Sequence, residues 1–329
     1  MVAVLVTGGA GYIGSHTVAL LLDRGEDVII VDNLQTGHEK AVLGGTFYKG
    51  DVRNKSFLDN IFHKHDIEAV IHFAASSLVG ESVQKPLVYY ENNVVAAHTL
   101  AMSMIEHDVK NIVFSSTAAT YGEPDQVPIR EDAATVPTSP YGDTKLAMEK
   151  MFRWCDEAHG LKSISLRYFN AAGAHPDGVI GEDHDPESHL VPIVLQVALG
   201  QRDLVHIFGE DYPTPDGTCI RDYIHVMDLA DAHWLALQQL RENGASAVYN
   251  LGNGNGFSVK EVVDSARRVT GKSIKSATAP RRSGDPAVLI ASSEKAKNEL
   301  NWRPQFNDLD TIIASAWNWH QRHPNGYNG

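Results

Sequence analysis

The chain opens on a short apolar run, Val2 to Val6, that stops at a glycine cluster and passes into YIGSHTVALLLDRG, apolar at helical spacing until Gly25. That order is strand, turn, helix. DVIIVDN then supplies a strand ending at Asp32, TFYKGD one ending at Asp51, and EAVIHFAA (68–75), NIVFSST (111–117) and SISLRYFN (163–170) continue the alternation with helical patterns between them. Strands that are nearly all apolar and separated by helices mark a parallel sheet covered on both faces. The pattern predicts an α/β fold with a Rossmann-type, doubly wound parallel sheet, whose ligands sit beyond the carboxyl ends of the strands.

After Asn170 the text changes to loops rich in Asp, His, Pro and Gly, and VHIFG (205–209) is the clearest later strand. IRDYIHVMDLADAHWLALQQL (220–240) reads as a strand-like stretch and a long helix able to pack back onto the first half. With 329 residues, two sub-domains are expected. They divide as 1–170, with about 220–245 returning to it, and a smaller mixed α/β part, 171–329, for substrate. Only the closing NGYNG reads as disordered.

A net charge of −13 argues against a nucleic-acid partner. The local exception, APRRSGD (279–285), suits one phosphate or carboxylate better than a polymer. Neither a signal peptide nor a membrane span is indicated, so a cytoplasmic protein is expected. Cys155 and Cys219 lie in no metal-binding pattern. GEDHDPESHL (181–190) gathers acids and histidines, but without helix or strand spacing it reads as a solvated loop, and no metal is expected. His225, Asp228 and His233 read as structural, as do Trp302, Trp317 and Trp319. NLGNGNGFSVKE lacks the ending of a phosphate loop, and its Ser258 and Glu261 make a capping box.

TGGAGYIGSH sets Gly8, Gly11 and Gly14 between strand and helix, where glycine permits a tight turn and close approach to a pyrophosphate facing the helix N-terminus. Asp32 follows at the end of the second strand, where a carboxylate accepts both adenosine ribose hydroxyls and repels a 2′-phosphate. NAD is therefore favoured over NADP. Asp51 and Val52 are placed to touch the adenine, and Phe73, Ala74 and Ala75 to border the phosphates.

In TSPYGDTK (138–145), Tyr141 and Lys145 stack on one helix face. A phenol of pKa about 10 is a poor base near neutrality, but an adjacent ammonium and a positive nicotinamide ring both favour its anion. Tyr141 thus becomes a proton acceptor, and Lys145 can hold the nicotinamide ribose. A third hydroxyl is expected from FSSTAATYG at the end of the fifth strand: Thr117 is the choice, with Ser116 left open as a contributor.

Taken together, TGGAGYIG, VDNL, HFAA, SSTAATYG, PYGDTK, RYFNAAG and RDYIHVMDLA resemble the UDP-glucose 4-epimerase family of extended short-chain dehydrogenases/reductases, over nearly the whole chain. YxxxK alone indicates only the superfamily; VGESVQKPLVYYENNV, RYFNAAGAHPDG and IFGEDYPTPDGTCIRDYIHV are specific to the epimerase branch. The resemblance implies a tightly held NAD that is not consumed. Tyr141 takes the 4′-hydroxyl proton, directly or through Thr117, while C4′ gives up hydride; the 4′-keto sugar rotates and is reduced on its other face. Interconversion of UDP-galactose and UDP-glucose follows, with a homodimer formed through helices near 85–108 and 141–159.

The family's cofactor set adds Tyr12, Ile13, Asn33, Asn92, Ser115 and Tyr168 to the residues above. Its substrate set carries over as Asn170, His189, Leu190, Phe208, Arg221, Arg282, Asp285 and Leu289, with Thr117 and Tyr141. Three departures stand out: Ser77 replaces a lysine common after HFAG, His189 stands where an asparagine is common, and Leu289 replaces a bulky tyrosine of some members. Leu289 implies a roomier pocket that extends to N-acetylated UDP-sugars. A 4,6-dehydratase is disfavoured because Ala118 and Ala119 occupy its acid and base positions. A UDP-uronic acid epimerase stays open at this stage, as does a non-catalytic dinucleotide sensor, which would have no need of Tyr141, Lys145 and two phosphate-directed arginines.

Overall fold

The computed structural model describes residues 2–282 and 286–328; the expected substrate residue Asp285 lies outside the described residues. Its centre is a seven-stranded sheet in which every neighbouring pair is parallel. The first six strands are β1 (Ala3–Thr7), β2 (Asp27–Asp32), β3 (Thr46–Lys49), β4 (Ile67–His72), β5 (Asn111–Ser115) and β6 (Lys162–Tyr168), and Ala247–Leu251 is the seventh. In space they run Ala247–Leu251, β6, β5, β4, β1, β2, β3. The chain leaves β1 toward β2 and β3, then returns to lay β4 on the other side of β1. That reversal opens a crevice at the carboxyl ends of β1 and β4.

The unbroken apolar text of the strands is explained by burial on both faces. Along β2, Val28 and Ile30 enter the core on one face with Val4, Val18 and Leu229, while Ile29 and Val31 enter the other with Leu5, Leu58 and Phe152. Each is at most 1% exposed, and burying one such side chain contributes about 1.5–3 kcal/mol. A polar residue in either alternation would be stranded.

The first helix, α1 (Tyr12–Asp23), and the helix Val226–Asn243 pack against each other on one face of the sheet. The Arg24 guanidinium stacks 4.0 Å from the Trp234 ring centroid and reaches Asp231 at 3.2 Å. The chain then adds Ala247–Leu251 beside β6, so its second half also completes the sheet. That strand was hidden in the sequence by the glycine-rich turns that follow it.

The remaining strands are short: Asn170–Ala172 with Tyr223–His225, Val205–Phe208 with Ser276–Ala279, and Ile220–Arg221 between Phe257–Ser258 and Val288–Leu289. Val205–Phe208 is the strand expected from VHIFG. Ser258 and Glu261 form the expected capping box, and Trp302 and Trp319 are buried. The chain end departs from expectation: Gly326–Asn328 forms a 3-10 turn, and Tyr327 is buried with its hydroxyl donating to the Gly181 carbonyl at 3.2 Å. An aromatic ring with a partner for its hydroxyl orders a segment that glycine and asparagine alone would not. Among the described residues no helix is long and apolar enough to cross a membrane.

Candidate active site

The glycine turn after β1 is closed to side chains. A Cβ on Gly14 would lie 2.1 Å from the Gly8 carbonyl oxygen, and one on Gly8, whose φ is +74°, 2.5 Å from the Ala74 nitrogen. The first turn of α1 therefore rests against the β1 loop, and the HFAA segment after β4 lies directly beside it. Gly11 precedes α1 in extended conformation with no side chain capping the helix, which leaves the first amides of α1 directed at the crevice.

Asp32, 8% exposed at the end of β2, accepts from the Ala10 amide at 3.0 Å and the Leu34 amide at 2.8 Å, one to each carboxylate oxygen. Burial pushes its carboxyl up, and those backbone bonds pull back. Each oxygen keeps lone-pair capacity for a ribose hydroxyl. A cradle that any Cβ would fill and a fixed, buried carboxylate fit the dinucleotide predicted for them.

Asp51 is held by its neighbour, with Arg53 donating from Nη2 at 2.6 Å and from Nε at 3.0 Å, which lowers the carboxyl's pKa. Arg53 also donates to Asn92 Oδ1 at 2.9 Å. Val52 is buried. Tyr12, at the start of α1, donates to the Gly173 carbonyl at 2.6 Å and so ties the turn to the loop after Asn170–Ala172.

Across the crevice, Pro140–His159 is a helix whose first residue is the proline and whose Ser139 cap accepts from the Gly142 amide at 3.2 Å. Gly142 lets this helix press onto the turn after β5, since a Cβ there would sit 2.5 Å from the Ala119 carbonyl. That contact brings Tyr141 to Thr117. Burial raises the Tyr141 phenol, and a hydrogen bond with Thr117 lowers it. Thr117 caps its own short turn, Oγ1 accepting from the Ala119 amide at 3.1 Å.

Lys145, one helical turn on, is 3% exposed and donates to the Ser115 carbonyl at 2.8 Å. Desolvation brings its ammonium down to about 7, while Glu149 opposes the shift. The expected help from the ammonium and a positive nicotinamide ring therefore has an opposing effect to overcome. Lys145 is buried and Tyr141 half-buried, and desolvation disfavours the phenolate and the ammonium alike. Ser115 Oγ meets the Tyr168 hydroxyl, so two more expected cofactor residues are bonded to each other.

Ser116 faces elsewhere: its hydroxyl donates to the Glu149 carboxylate, which in turn receives Arg167, with Nε at 2.9 Å. Arg167 continues to the Tyr121 hydroxyl at 2.9 Å, and Tyr121 to Asn250 Oδ1 at 2.7 Å. This buried network lies beneath the site and was not recognised in the sequence, because a single Glu on a helix carries no signal of what it will face. Ser116 therefore belongs to the network beneath the pocket.

Asn93 was also missed in favour of Asn92. Its buried amide accepts from the Ser76 amide at 2.7 Å and donates to Thr144 Oγ1 at 3.0 Å, fastening the loop after β4 to the Tyr141 helix. Both asparagines lie in the π-helical turn Tyr90–Val95, whose wider pitch no 3.6-residue pattern reveals.

On the substrate side, Leu289 is paired in register with Arg221, and the Arg282 guanidinium lies 4.1 Å over the Phe208 ring. Glu123, Pro124, Pro286 and Val288 line a cleft with Arg282. Its neighbour Arg281 is committed to Asp211, with Nε donating at 2.6 Å. The Asn170 amide donates to the Asp222 carbonyl at 3.2 Å, and the buried Asp222 carboxylate, raised to about 6 by desolvation, accepts the Asn253 and Ala291 amides. Leu190 begins the helix Leu190–Ala198, and His189 Nδ1 is 2.6 Å from Glu182 Oε1. The 181–190 segment is not the solvated loop expected: Glu182 is buried, and its side chain faces His184 and His189.

Residues 4–252 match the model of the NAD dependent epimerase/dehydratase family. The chain is 66% identical over 325 residues to a UDP-glucose 4-epimerase of Halalkalibacterium halodurans, covering 99% of this chain and 97% of that one. It superposes with a TM-score of 0.95 on the NAD complex of UDP-glucose 4-epimerase from Brucella ovis, at 48% identity, covering 96% and 98% of the two chains. For the Bifidobacterium longum UDP-glucose 4-epimerase in complex with NAD+ and UDP the TM-score is 0.93 at 42% identity, covering 99% and 100%. With its glycine turn, its Tyr141–Thr117 pair and these relatives over its full length, the chain belongs to the NAD-dependent epimerase/dehydratase family, among the UDP-glucose 4-epimerases.

Proposed function

We propose that this chain interconverts UDP-galactose and UDP-glucose through a resident NAD, with Tyr141 as the proton acceptor at the sugar 4′-hydroxyl. The observation that carries the reading is the placement of Tyr141 against Thr117, whose side chain lowers the phenol's pKa, with the buried Lys145 one helical turn away. Gly8, Gly11, Tyr12, Ile13, Gly14 and Asp32 hold the cofactor, with Asn33, Asp51, Val52, Phe73 to Ala75, Asn92, Ser115 and Tyr168 around it. Bound NAD supplies a hydride acceptor that returns the same hydride, so net redox change is zero.

Thr117 orients the 4′-hydroxyl and relays its proton, and Tyr141 holds that proton until the sugar has turned. Lys145 positions the nicotinamide ribose. A bound, positively charged nicotinamide ring would favour the phenolate that burial alone disfavours at Tyr141. Arg221 and Arg282, with Asp285, take the diphosphate and uridine ribose, and Phe208 with Leu190 flanks the uridine. Asn170 and His189 border the diphosphate-sugar, and the 4-keto intermediate turns about its diphosphate linkage while those contacts persist.

Residues 1–170 and about 220–245 bind NAD, and the remainder of 171–329 binds the UDP-sugar. The protein acts in the cytoplasm as a homodimer. Supporting the dimer are exposed apolar residues on the helices near 85–108 and 141–159, where Leu87 is 81% exposed, Val95 46% and Trp154 59%. Purification without added cofactor tests the function. UDP-galactose must be converted to UDP-glucose by the protein as isolated, and denaturation must release NAD. A protein that releases no NAD and turns over only when NAD is supplied contradicts the resident cofactor, and one that does not turn over at all contradicts the activity.

A further inference from the structure

Glu182, His184, Glu187 and His189 come from eight consecutive positions of one loop, yet one ligand atom from each lies within 4.8 Å of all the others. His189 Nδ1 is 2.6 Å from Glu182 Oε1, His184 Nδ1 is 3.4 Å from the same oxygen and 3.6 Å from Glu187 Oε2, and His189 Nδ1 is 3.6 Å from Glu187 Oε1. Four donors around a tetrahedral ion at about 2.0–2.1 Å would stand roughly 3.3 Å apart. The loop is gathered to that scale before any ion is added.

Two further observations point to an ion. The Glu182 and Glu187 side chains are only 4% and 3% exposed, so two carboxylates are held together out of water, with the rings of His184 and His189 as the groups that face them. Nδ1 of His184 is buried with no hydrogen-bond partner, although it faces both carboxylates. That nitrogen stands 3.4 and 3.6 Å from the two carboxylates, and a cation between them would bond all three groups at once. The geometry points to a divalent transition-metal site of the zinc class formed by Glu182, His184, Glu187 and His189.

The carboxylates hold both imidazoles protonated in the ion's absence, so the ion displaces those protons as it binds; two imidazoles and two carboxylates then cancel its charge and offer the mixed nitrogen and oxygen set that zinc accepts and magnesium or calcium does not favour. The surrounding bonds already orient the ligands. Glu187 Oε1 accepts the Ser188 and His189 amides at 2.7 and 2.8 Å, and the Glu182 carbonyl accepts Trp319 Nε1 at 3.3 Å. With four protein ligands the site is closed, so its role is structural. It pins the loop between Tyr12, whose ring lies edge-on to His184, and the helix that begins at Leu190.

The test uses the full-length enzyme, stripped with a chelator, then incubated with excess Zn2+ or Co2+ and desalted. The parent is expected to retain about one ion per chain, to show the intense visible absorption of tetrahedral Co2+, and to melt higher with zinc than without. His184→Gln and His189→Gln should each weaken zinc binding by at least about tenfold and lose the thermal response. No retained metal, or Gln variants that hold zinc as the parent does, overturns the site. Should the variants not fold, the Co2+ spectrum of the parent decides, a weak octahedral spectrum being the contradicting result.

Discussion

Lys145 donates to the Ser115 carbonyl at 2.8 Å and is sealed from solvent at the end of β5, one helical turn beyond Tyr141. Its charge is therefore available to the site but costly to the fold, and desolvation brings its pKa to about 7 against an ordinary 10.5. Between those values the unfolded chain binds the proton that the folded chain has released. Proton loss then favours the native state as pH rises.

The expected result in the cofactor-stripped protein is a stability that climbs from pH 7 to pH 9 relative to Lys145→Met, by up to about 1.4 kcal/mol per pH unit. Denaturant midpoints for the two proteins across that range measure it. Parallel curves would show that the ammonium keeps its proton, and the argument from burial would be wrong.

Ser116 and Thr117 are adjacent in sequence but separate in role. Ser116→Ala removes one bond from the Glu149–Arg167 pair and should cost about 1 kcal/mol of stability with kcat unchanged. Glu149→Ala strands a buried Arg167 and should cost about 3–5 kcal/mol. Thr117→Val should instead lower kcat with little loss of melting temperature. A Ser116→Ala enzyme with the catalytic defect of Thr117→Val would reverse the assignment.

The sheet was legible because burial on both faces leaves an unmistakable apolar text, as in Asp27–Asp32, and the nucleotide turn was legible because only glycine fits where Gly14 meets the Gly8 carbonyl. Tyr141 and Lys145 declared themselves by helical spacing. What escaped was long-range. Nothing local says that Glu149 will find Arg167, that Asn93 will clasp the loop at Ser76, or that Ala247–Leu251 will return to the sheet. The loop at 181–190 misled for the same reason, since its ligand-like side chains converge without regular secondary structure.

Leu289 lies opposite Arg221 on the strand Val288–Leu289, half-buried at the substrate side. The family resemblance puts position 289 beside the sugar, where we propose that a leucine leaves room that a tyrosine ring would occupy. UDP-N-acetylglucosamine should be turned over by the parent, and Leu289→Tyr should lower that activity at least about tenfold while sparing UDP-galactose. Absence of any turnover of the N-acetylated sugar by the parent ends this proposal.

Asp32 should decide between cofactors. Its carboxylate is fixed by the Ala10 and Leu34 amides, so Asp32→Ala should release NAD during purification and restore activity only when cofactor is added. Quantifying NAD in the denatured filtrate distinguishes the outcomes; a variant that retains a full complement would show that the ribose contact lies elsewhere.

The most direct measurement is kcat for UDP-galactose in Tyr141→Phe, with bound NAD quantified in the same preparation. Removing one oxygen leaves ring packing intact, so the variant is expected to keep its NAD and lose about 10²–10⁴-fold in kcat. A cofactor-loaded variant that turns over at the parent's rate would contradict the claim that the Tyr141 phenol takes the proton.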